Sequence, residues 1–250
     1  MKTTISAVVI CLLFSVPVLG QTISVSFAGD NAAMPTINVT AADTAGVVPV
    51  ANWNADAQGV EGSIADLMDS DGAATGASVS WSGANNTWGG TGATTPDEML
   101  VNGWLDDNGD GATINVTGIP YETYDVIVYG SSDDGNAGRG LTTQVNGTDF
   151  FSGGVFETLS DGGTYFSSSV GFVDGASAAN DPSFFSITGL SGDLTIFGGR
   201  NMEGPELPNG TTDYRAAISG FQITNAVPEP ASISMVLMAF IGMLGFRRRK

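Results

Sequence analysis

The sequence has 250 residues, of which 26 are acidic, eight are basic and none is histidine, for a formal net charge of −18. Without histidine the chain cannot build a Ser-His-Asp triad or the usual catalytic zinc site, which leaves carboxylate chemistry and oxygen-ligated metals such as calcium. The single cysteine, Cys11, lies in an apolar N-terminal segment, so the rest of the chain has neither a disulfide nor a thiolate site.

Residues 1–20 have the features of a secretory signal peptide. Lys2 supplies the basic start, Ile5–Val16 supplies the apolar stretch, and small residues precede the expected cleavage after Gly20. We therefore expect the mature chain to begin at Gln21. A retained N-terminal anchor is the weaker alternative, because the apolar run is short.

The segment that follows is strongly acidic. Residues 21–226 carry 25 acidic and three basic residues, a formal net charge of −22. Such a surface repels phosphate backbones, which excludes nucleic acid as a partner. It suits a protein that works in salt water or among divalent cations, and solubility alone is the alternative interpretation.

Short apolar alternations separated by Gly, Asn and Asp recur through residues 21–226, and convincing amphipathic helices are scarce. This pattern is typical of all-β proteins, and we predict a single jelly-roll-like β-sandwich. Ile64–Met68 also fits a helical turn, and Glu98–Trp104 fits a short helix or a strand. The predicted strands are Thr22–Phe27, Val47–Trp53, Ser78–Trp81, Thr113–Thr117, Tyr124–Tyr129, Leu141–Val145, Thr148–Phe151, Thr164–Phe166, Phe184–Ile187, Leu194–Phe197 and Ala216–Ile223.

Two local features refine this fold. Asn146-Gly147 between two apolar runs predicts a tight hairpin, since both residues tolerate positive φ. Ile114–Ile119 and Phe185–Leu190 repeat one pattern, in which a strand ends in Thr-Gly, an apolar residue plugs the end of the sandwich and a new strand begins. The pattern resembles the sheet-crossing corner of fibronectin-like and jelly-roll modules.

One acidic stretch indicates a cation site. Asp106, Asn108, Asp110 and the following glycine match the first half of a calcium loop, in which oxygens at alternate positions converge on one ion. The twelfth position is Thr117, where a bidentate glutamate belongs. The sequence therefore predicts at best an isolated calcium site completed by distant oxygens, and an acidic turn without a metal is the alternative.

Sugar recognition would need an exposed aromatic ring beside hydrogen-bonding side chains. Trp88 lies in the polar stretch Asn85–Gly90, which we expect to be a flexible loop, and Asn86 is its polar neighbour. Packing of Trp88 over a sheet edge is the alternative. Trp81 alternates with Val79 and is expected in the core.

Carboxylates are the remaining route to an enzyme. A glycosidase needs two of them about 5–10 Å apart, one with a raised pKa. No motif singles out a pair, so we expect no catalytic activity. The candidates are Glu98, Glu122, Glu157, Glu203 and Glu206.

The tail, residues 227–250, has three parts in order. Pro228-Glu229-Pro230 precedes the uncharged stretch Ala231–Phe246, and Arg247-Arg248-Arg249 with Lys250 follows. As a helix the 16 apolar residues would span about 24 Å, slightly less than a hydrocarbon core of about 30 Å, and the basic cluster is expected to stay cytoplasmic. An ordinary membrane anchor is one interpretation.

This arrangement resembles the PEP-CTERM sorting signal of Gram-negative bacteria. The resemblance implies recognition by an exosortase, cleavage near Pro228-Glu229-Pro230, and delivery to the cell surface or an exopolysaccharide matrix. It covers about a tenth of the chain.

The body resembles a module found in exported proteins of planctomycetes and verrucomicrobia. The matching stretches are Thr44–Asn54, Leu67–Trp81, Gly118–Tyr129 and Arg215–Ile223. The resemblance spans most of residues 22–224 and implies architecture rather than activity.

We therefore expect a signal peptide (1–20), a β-sandwich domain (21–226) and a transmembrane sorting helix within residues 227–250. The expected function is that of a non-catalytic surface or matrix protein associated with extracellular polysaccharide. The alternatives are a carbohydrate-binding module that uses loop aromatics and calcium, and a carboxylate-dependent glycosidase or lyase.

Overall fold

The structure, a computed structural model, describes residues 20–28, 38–84, 86–89, 93, 95–101, 103–106, 111–130, 140–151, 184–199, 214–215 and 217–226. Gln21–Ala226 form one compact unit. The described residues contain two seven-stranded sheets and one short helix. The elements are β1 Thr22–Ala28, β2 Asn54–Gln58, β3 Gly62–Ile64, β4 Ser78–Ser82, β5 Asn86–Gly89, α1 Pro96–Val101, β6 Gly103–Asp106, β7 Ala112–Thr117, β8 Tyr124–Gly130, β9 Gly140–Val145, β10 Thr148–Phe151, β11 Phe184–Leu190, β12 Leu194–Gly198, β13 Tyr214–Arg215 and β14 Ala217–Asn225.

The first sheet is organised around β14. Its strand order is β11-β8-β14-β1-β2, and β6 pairs with the start of β14 and carries β5 on its other side. Strand β14 is antiparallel to both β1 and β8, whereas β2 runs parallel to β1. Strand β14, the last strand among the described residues, is therefore a central strand of this sheet.

The second sheet has the order β10-β9-β12-β7-β4-β3, and β13 pairs with β9. The main core lies between the two sheets, because alternate residues of their strands share one buried cluster. In β8, for example, Tyr124, Val126 and Val128 face this core, whereas Ile127 and Tyr129 belong to a second cluster on the outer face of the first sheet. An all-β sandwich was predicted and is confirmed.

The second cluster is covered by residues 38–53 and by α1. Trp53, Leu100 and Val101 are buried there together with Tyr129. Within this cover, residues 45–50 form a strap that turns over the outer face of the first sheet. The sheet therefore buries apolar side chains on both of its faces.

The strap is bound by a buried polar network. The Val47 N–H donates to the Tyr129 hydroxyl at 2.7 Å, and that hydroxyl donates to Gln222 Oε1 at 2.5 Å. Gln222 Oε1 also accepts from the Val48 N–H at 3.2 Å, and its Nε2 donates to the Val48 carbonyl at 2.9 Å and to Ser24 Oγ at 3.2 Å. Gln222 is fully buried, so its amide needs these partners.

The predicted strand Val47–Trp53 is wrong. Residues 46–49 form a turn closed by an isolated bridge between Ala45 and Val50. Gly46 and Asn52 adopt positive φ, 98° and 60°, which interrupts an extended chain. The apolar residues of this stretch pack as a loop over the sheet instead of joining it.

The other predicted strands that are described are confirmed, with each end exact or within three residues, and Thr164–Phe166 lies outside the described residues. Ile64–Met68 is not a helical turn, because Ile64 ends β3 and Met68 forms an isolated bridge with Ala74. Glu98–Trp104, which was predicted to be either a short helix or a strand, contains the end of helix α1 and the start of strand β6. The Asn146-Gly147 hairpin joins β9 to β10, with φ of 46° and 80°.

None of the helical segments among the described residues has the length and apolar character needed to span a bilayer. The predicted signal peptide, apart from Gly20, and the tail at residues 227–250 lie outside the described residues.

Candidate functional site

The site with the clearest link to the sequence motifs is the end of the sandwich where β14 finishes. The Asn225 N–H donates to the Gln21 carbonyl at 3.0 Å, and the Ala226 N–H donates to the Thr123 carbonyl at 3.1 Å. The sheet therefore holds the chain as far as Ala226. In the sequence only Val227 then precedes the Pro-Glu-Pro of the tail.

We call this region the exit end. It comprises Gln21, Asn225, Ala226 and the loops that topology brings beside them. Those loops are residues 65–77, 118–123, 146–147 and 191–193, which join strands at the same end of the two sheets.

The exit end is acidic. Seven carboxylates lie in it or on the first residues of its strands, and five of them are exposed. Arg215, the only described basic residue, lies in β13 near the opposite end of β14. The seven are Asp66, Asp69, Asp71, Glu122, Asp125, Asp149 and Asp193.

Two of these carboxylates flank a tight turn. Asp69 is 3% exposed, and its Oδ1 accepts from the N–H groups of Asp71 at 3.0 Å and Ala73 at 2.9 Å. The Asp71 carboxylate accepts from Gln21 Nε2 at 3.4 Å. The turn is thereby joined to the residue that also receives the Asn225 N–H.

Tyr121 is part of the main core, and its buried hydroxyl has no hydrogen-bond partner. Burial, with smaller contributions from the Asp69 and Asp71 carboxylates, raises the pKa of Tyr121 to about 12. The phenol is therefore neutral at physiological pH and can act as a hydrogen-bond donor but not as a base.

The two predicted corners also meet at the exit end. Ile119 and Leu190 pack against the main core, as expected, and each corner crosses between the sheets, from β7 to β8 and from β11 to β12. Gly118 and Gly189 both have positive φ, 70° and 73°.

The corners are bonded to each other reciprocally. The Gly118 N–H donates to Asp193 Oδ1 at 3.3 Å, and the Gly189 N–H donates to Asp125 Oδ1 at 2.9 Å. The Tyr124 hydroxyl adds a bond to the Gly192 carbonyl at 2.9 Å. Two of the acidic residues at this end therefore have a structural role.

The predicted sugar-binding residues, Trp88 and Asn86, are in strand β5 and not in a flexible loop. Trp88 pairs with Trp104, and Asn86 pairs with Asp106 of β6. The stretch is a strand because it pairs antiparallel with β6 along all four of its residues. The binding role of Trp88 and Asn86 stays a prediction.

Of the three predicted calcium ligands, only Asp106 is described. Asp106 ends β6 and is 5% exposed, while Asn108 and Asp110 lie outside the described residues. Among the described residues, no three carboxylates come together in a way that could hold a metal ion. The calcium site stays a prediction.

Most of the other described candidates for sugar or acid chemistry have structural roles, whereas Glu122 is exposed at the exit end. Trp53, Trp81 and Trp104 are each at most 4% exposed, and Trp81 was expected in the core. Glu98 caps α1, since its Oε2 accepts from the Thr95 N–H at 3.0 Å while Thr95 Oγ1 accepts from the Glu98 N–H at 3.2 Å. Glu157, Glu203 and Glu206 lie outside the described residues.

The sequence reasoning missed the exit end itself. Gln21, Asp71, Tyr121 and Thr123 were not singled out, because only strand register brings them together. The turn Asp69–Gly72, with two aspartates before a glycine, was a signal that could have been noticed.

Comparison with known proteins identifies one segment. Residues 226–250 match the PEP-CTERM protein-sorting motif, which includes Pro228, Glu229, Pro230, Arg247, Arg248 and Arg249. No curated protein and no solved structure matches the chain, so the resemblance of the body to a planctomycete and verrucomicrobial module stays a prediction. The chain carries a PEP-CTERM protein-sorting motif, which implies export and sorting by an exosortase to the cell surface.

Proposed function

We propose that this chain is a non-catalytic surface or extracellular-matrix protein, built on a jelly-roll-like sandwich and associated with exopolysaccharide. The observation that carries the proposal is the sorting motif at residues 226–250, which follows the last strand of a compact β domain. A motif of this kind delivers the domain in front of it, so the sandwich is the cargo.

The expected route uses both ends of the chain. A signal peptide at residues 1–20 starts export, and the apolar stretch Ala231–Phe246 holds the chain in the inner membrane of a Gram-negative bacterium. The basic cluster Arg247–Lys250 stays cytoplasmic, and an exosortase-type enzyme releases the body. The membrane stage is transient.

The charge of the body supports the proposed destination. At a formal −22, residues 21–226 remain soluble after release and attract divalent cations, which bridge carboxylates in acidic polysaccharide. The function requires no catalytic group and no nucleic-acid partner.

Localisation tests the proposal. The full chain, tagged within the body, is expressed in a bacterium that has an exosortase, and cell, membrane and medium fractions are compared with an exosortase-deficient strain. We expect a shortened surface form in the first strain and a full-length membrane form in the second.

The motif itself is tested by substitution in the same two strains. Replacing Pro228 and Glu229 by alanine is expected to give the membrane form in both strains. The matched control is the same double change at Pro205 and Glu206, a second Pro-Glu pair that lies within the body. A shortened surface form from the motif variant would contradict the proposal.

A carbohydrate-binding module is the second candidate. Three of the four tryptophans are buried in the fold, which leaves Trp88, on a strand that pairs on one side only among the described residues. Affinity electrophoresis in gels that contain acidic polysaccharide tests it. We expect Trp88→Ala to abolish retardation and Val60→Ala, at an exposed apolar residue, to leave it unchanged. Equal retardation of both variants would remove the site.

Calcium is the one cofactor that the sequence predicts. If Asp106, Asn108 and Asp110 hold calcium, a chelator is expected to lower the melting temperature of the purified chain, and Asn108→Ala is expected to remove that shift. An identical melting temperature with and without chelator would eliminate the site.

A further inference from the structure

The outer face of the second sheet is uncharged along its three adjacent strands β4, β7 and β12. In these strands the residues that alternate with the core positions are serine, threonine, asparagine and one phenylalanine. Because the body as a whole has a formal net charge of −22, this face is a distinct surface. Strand register sets six of its residues in two rows of three, which we call the neutral face: Ser80, Asn115 and Thr195, then Ser82, Thr113 and Phe197.

The polar side chains of the neutral face are available to a partner. Within the face, the described hydrogen bonds include one, from Thr195 Oγ1 to Asn115 Oδ1 at 3.0 Å. The Asn115 Nδ2 donor and the other hydroxyl groups can therefore bind groups outside the sheet. Three of these five side chains are exposed and two are partly exposed, namely Ser80, Ser82 and Thr195, then Thr113 and Asn115.

Phe197 adds an aromatic ring to the neutral face. The residue is partly exposed, and its ring lies against two glycines. A Cβ atom at Gly199 would come within 2.8 Å of the ring, and one at Gly111 would overlap it, so glycine at both positions lets the ring lie along the sheet. Thr113 and Gln144 are its cross-strand neighbours. An accessible ring beside hydrogen-bonding side chains is the arrangement that sugar recognition requires.

We propose that the neutral face binds an uncharged polysaccharide chain, with one sugar stacked on Phe197 and its neighbours hydrogen-bonded to the hydroxyl and amide groups of the two rows. The inference rests on the proposed function, in which the body is associated with exopolysaccharide, and it names the contact surface and the class of sugar.

Charge is the reason for choosing a neutral ligand. The carboxylates elsewhere on the body repel an acidic chain, and the neutral face has no basic side chain to pair with it. A cationic partner would bind those carboxylates instead of this face. An uncharged chain of sugars meets neither obstacle, and its hydroxyl groups pair with serine, threonine and asparagine side chains.

Affinity electrophoresis of the purified full chain in a non-ionic detergent tests the site. The native gels contain hydroxyethylcellulose, galactomannan or mixed-linkage β-glucan as neutral polysaccharides, alginate as an acidic one, or no polysaccharide. We expect at least one neutral polysaccharide to retard the chain more strongly than alginate does.

Three variants locate the binding surface. Phe197→Ala removes the ring, and Thr113→Glu places a charge and added bulk beside it, which keeps the test valid if Phe197→Ala does not fold. Thr123→Glu, the matched control, makes the same change at an exposed threonine in the loop between β7 and β8. We expect the apparent dissociation constant in the neutral gel to rise at least about fivefold for the first two variants, the effect of one net hydrogen bond or stacking contact, and less than about twofold for the control. Melting temperatures of the same samples show which variants are folded.

Equal retardation of the wild-type chain and the folded variants, retardation by alginate alone, or no retardation would overturn the proposal. A wild-type chain that sediments as a dimer and becomes a monomer in Thr113→Glu would show that a second copy occupies the face, which would also overturn it. Sorting is measured separately in cells. A chain that is sorted but not retarded removes the site alone, whereas a chain that is retarded but never sorted contradicts the proposed function.

Discussion

Three tyrosines within nine residues differ in what their hydroxyl groups bind, which allows a graded test of the polar contacts. Tyr129 links the strap to Gln222, Tyr124 binds the Gly192 carbonyl and the Asn146 side chain, and Tyr121 has no partner. Replacing each by phenylalanine removes one oxygen and preserves the ring. We expect the free energy of unfolding to fall most for Tyr129→Phe, less for Tyr124→Phe, and not at all for Tyr121→Phe.

The magnitudes follow from the bonds. Tyr129→Phe breaks the bond to Gln222 and leaves the Val47 N–H without its acceptor, a loss of about 2–3 kcal/mol at about 1 kcal/mol per bond plus part of a desolvation penalty. At about 2–4 °C per kcal/mol for a chain of this size, the melting temperature falls by about 4–12 °C. Tyr124→Phe loses the bond to the Gly192 carbonyl and the bond to the exposed Asn146 side chain, about 1–2 kcal/mol in all.

Tyr121→Phe is the internal control. Its hydroxyl is buried without a partner, so its removal relieves a desolvation cost and leaves stability unchanged or raises it by about 1 kcal/mol. Urea unfolding of the three purified variants at neutral pH measures the series. A loss for Tyr121→Phe as large as that for Tyr129→Phe would refute the reasoning, because it would show that the Tyr121 hydroxyl has a partner in solution.

The other predictions concern backbone, capping and pH. Gly46→Ala is expected to lower the free energy of unfolding by more than about 2 kcal/mol in urea, because φ is +98° and the new Cβ would lie 2.7 Å from Gln222 Oε1. Its control is Gly76→Ala, where φ is +76° but the space around the new Cβ is open, and there the expected loss is only about 1–2 kcal/mol. Thr95→Ala removes the cap of α1 and is expected to cost about 1 kcal/mol in the same assay, so no loss would show that the cap is dispensable. The Tyr121 hydroxyl has a pKa of about 12 in the folded chain and about 10 in the unfolded chain. The stability that comes from this difference is complete below pH 10 and is lost as pH rises from 10 to 12. We therefore expect the free energy of unfolding to fall less steeply over this pH range in Tyr121→Phe than in the unmodified chain.

The sequence predicts the strands of the main core well because a strand that packs between two sheets buries alternate side chains, which leaves a period of two in the sequence. In β4, Val79 and Trp81 face the core while Ser80 and Ser82 are exposed, and this alternation is visible in the sequence. The corners were predictable for a similar reason. Each corner is a Thr-Gly step that has positive φ at its glycine, Gly118 or Gly189, and is followed by an apolar residue packed against the main core.

The strap could not be predicted in the same way. Its valines have the composition of a strand, and what fixes them as a loop is far away in sequence. Val47 is 82 residues from Tyr129, and Val48 is 174 residues from Gln222. Composition describes what a segment can bury, whereas only tertiary contacts decide whether its amides bind a strand or a side chain.

Strand β5 and the exit end illustrate the same limit. Asn86–Gly89 is short and surrounded by polar residues, so local pattern indicates a loop until β6 is placed beside it. Asp71 and Thr123 become neighbours of the exit only through the register of β1 and β8 against β14. Register depends on the whole sheet, and no local sequence feature specifies it.

The placement of β14 also explains how a sorting motif can be attached to, and removed from, a domain that has no disulfide after Gly20. Its neighbours β1 and β8 hold it on both sides, and Gln21 and Asn225, at the two ends of the body, are hydrogen-bonded to each other. Removal of residues before Gln21 or after Ala226 cuts the chain outside the paired strands, so the described interstrand bonds persist. A central last strand resists unravelling from a newly cut end more strongly than an edge strand would, since release requires breaking bonds on two sides.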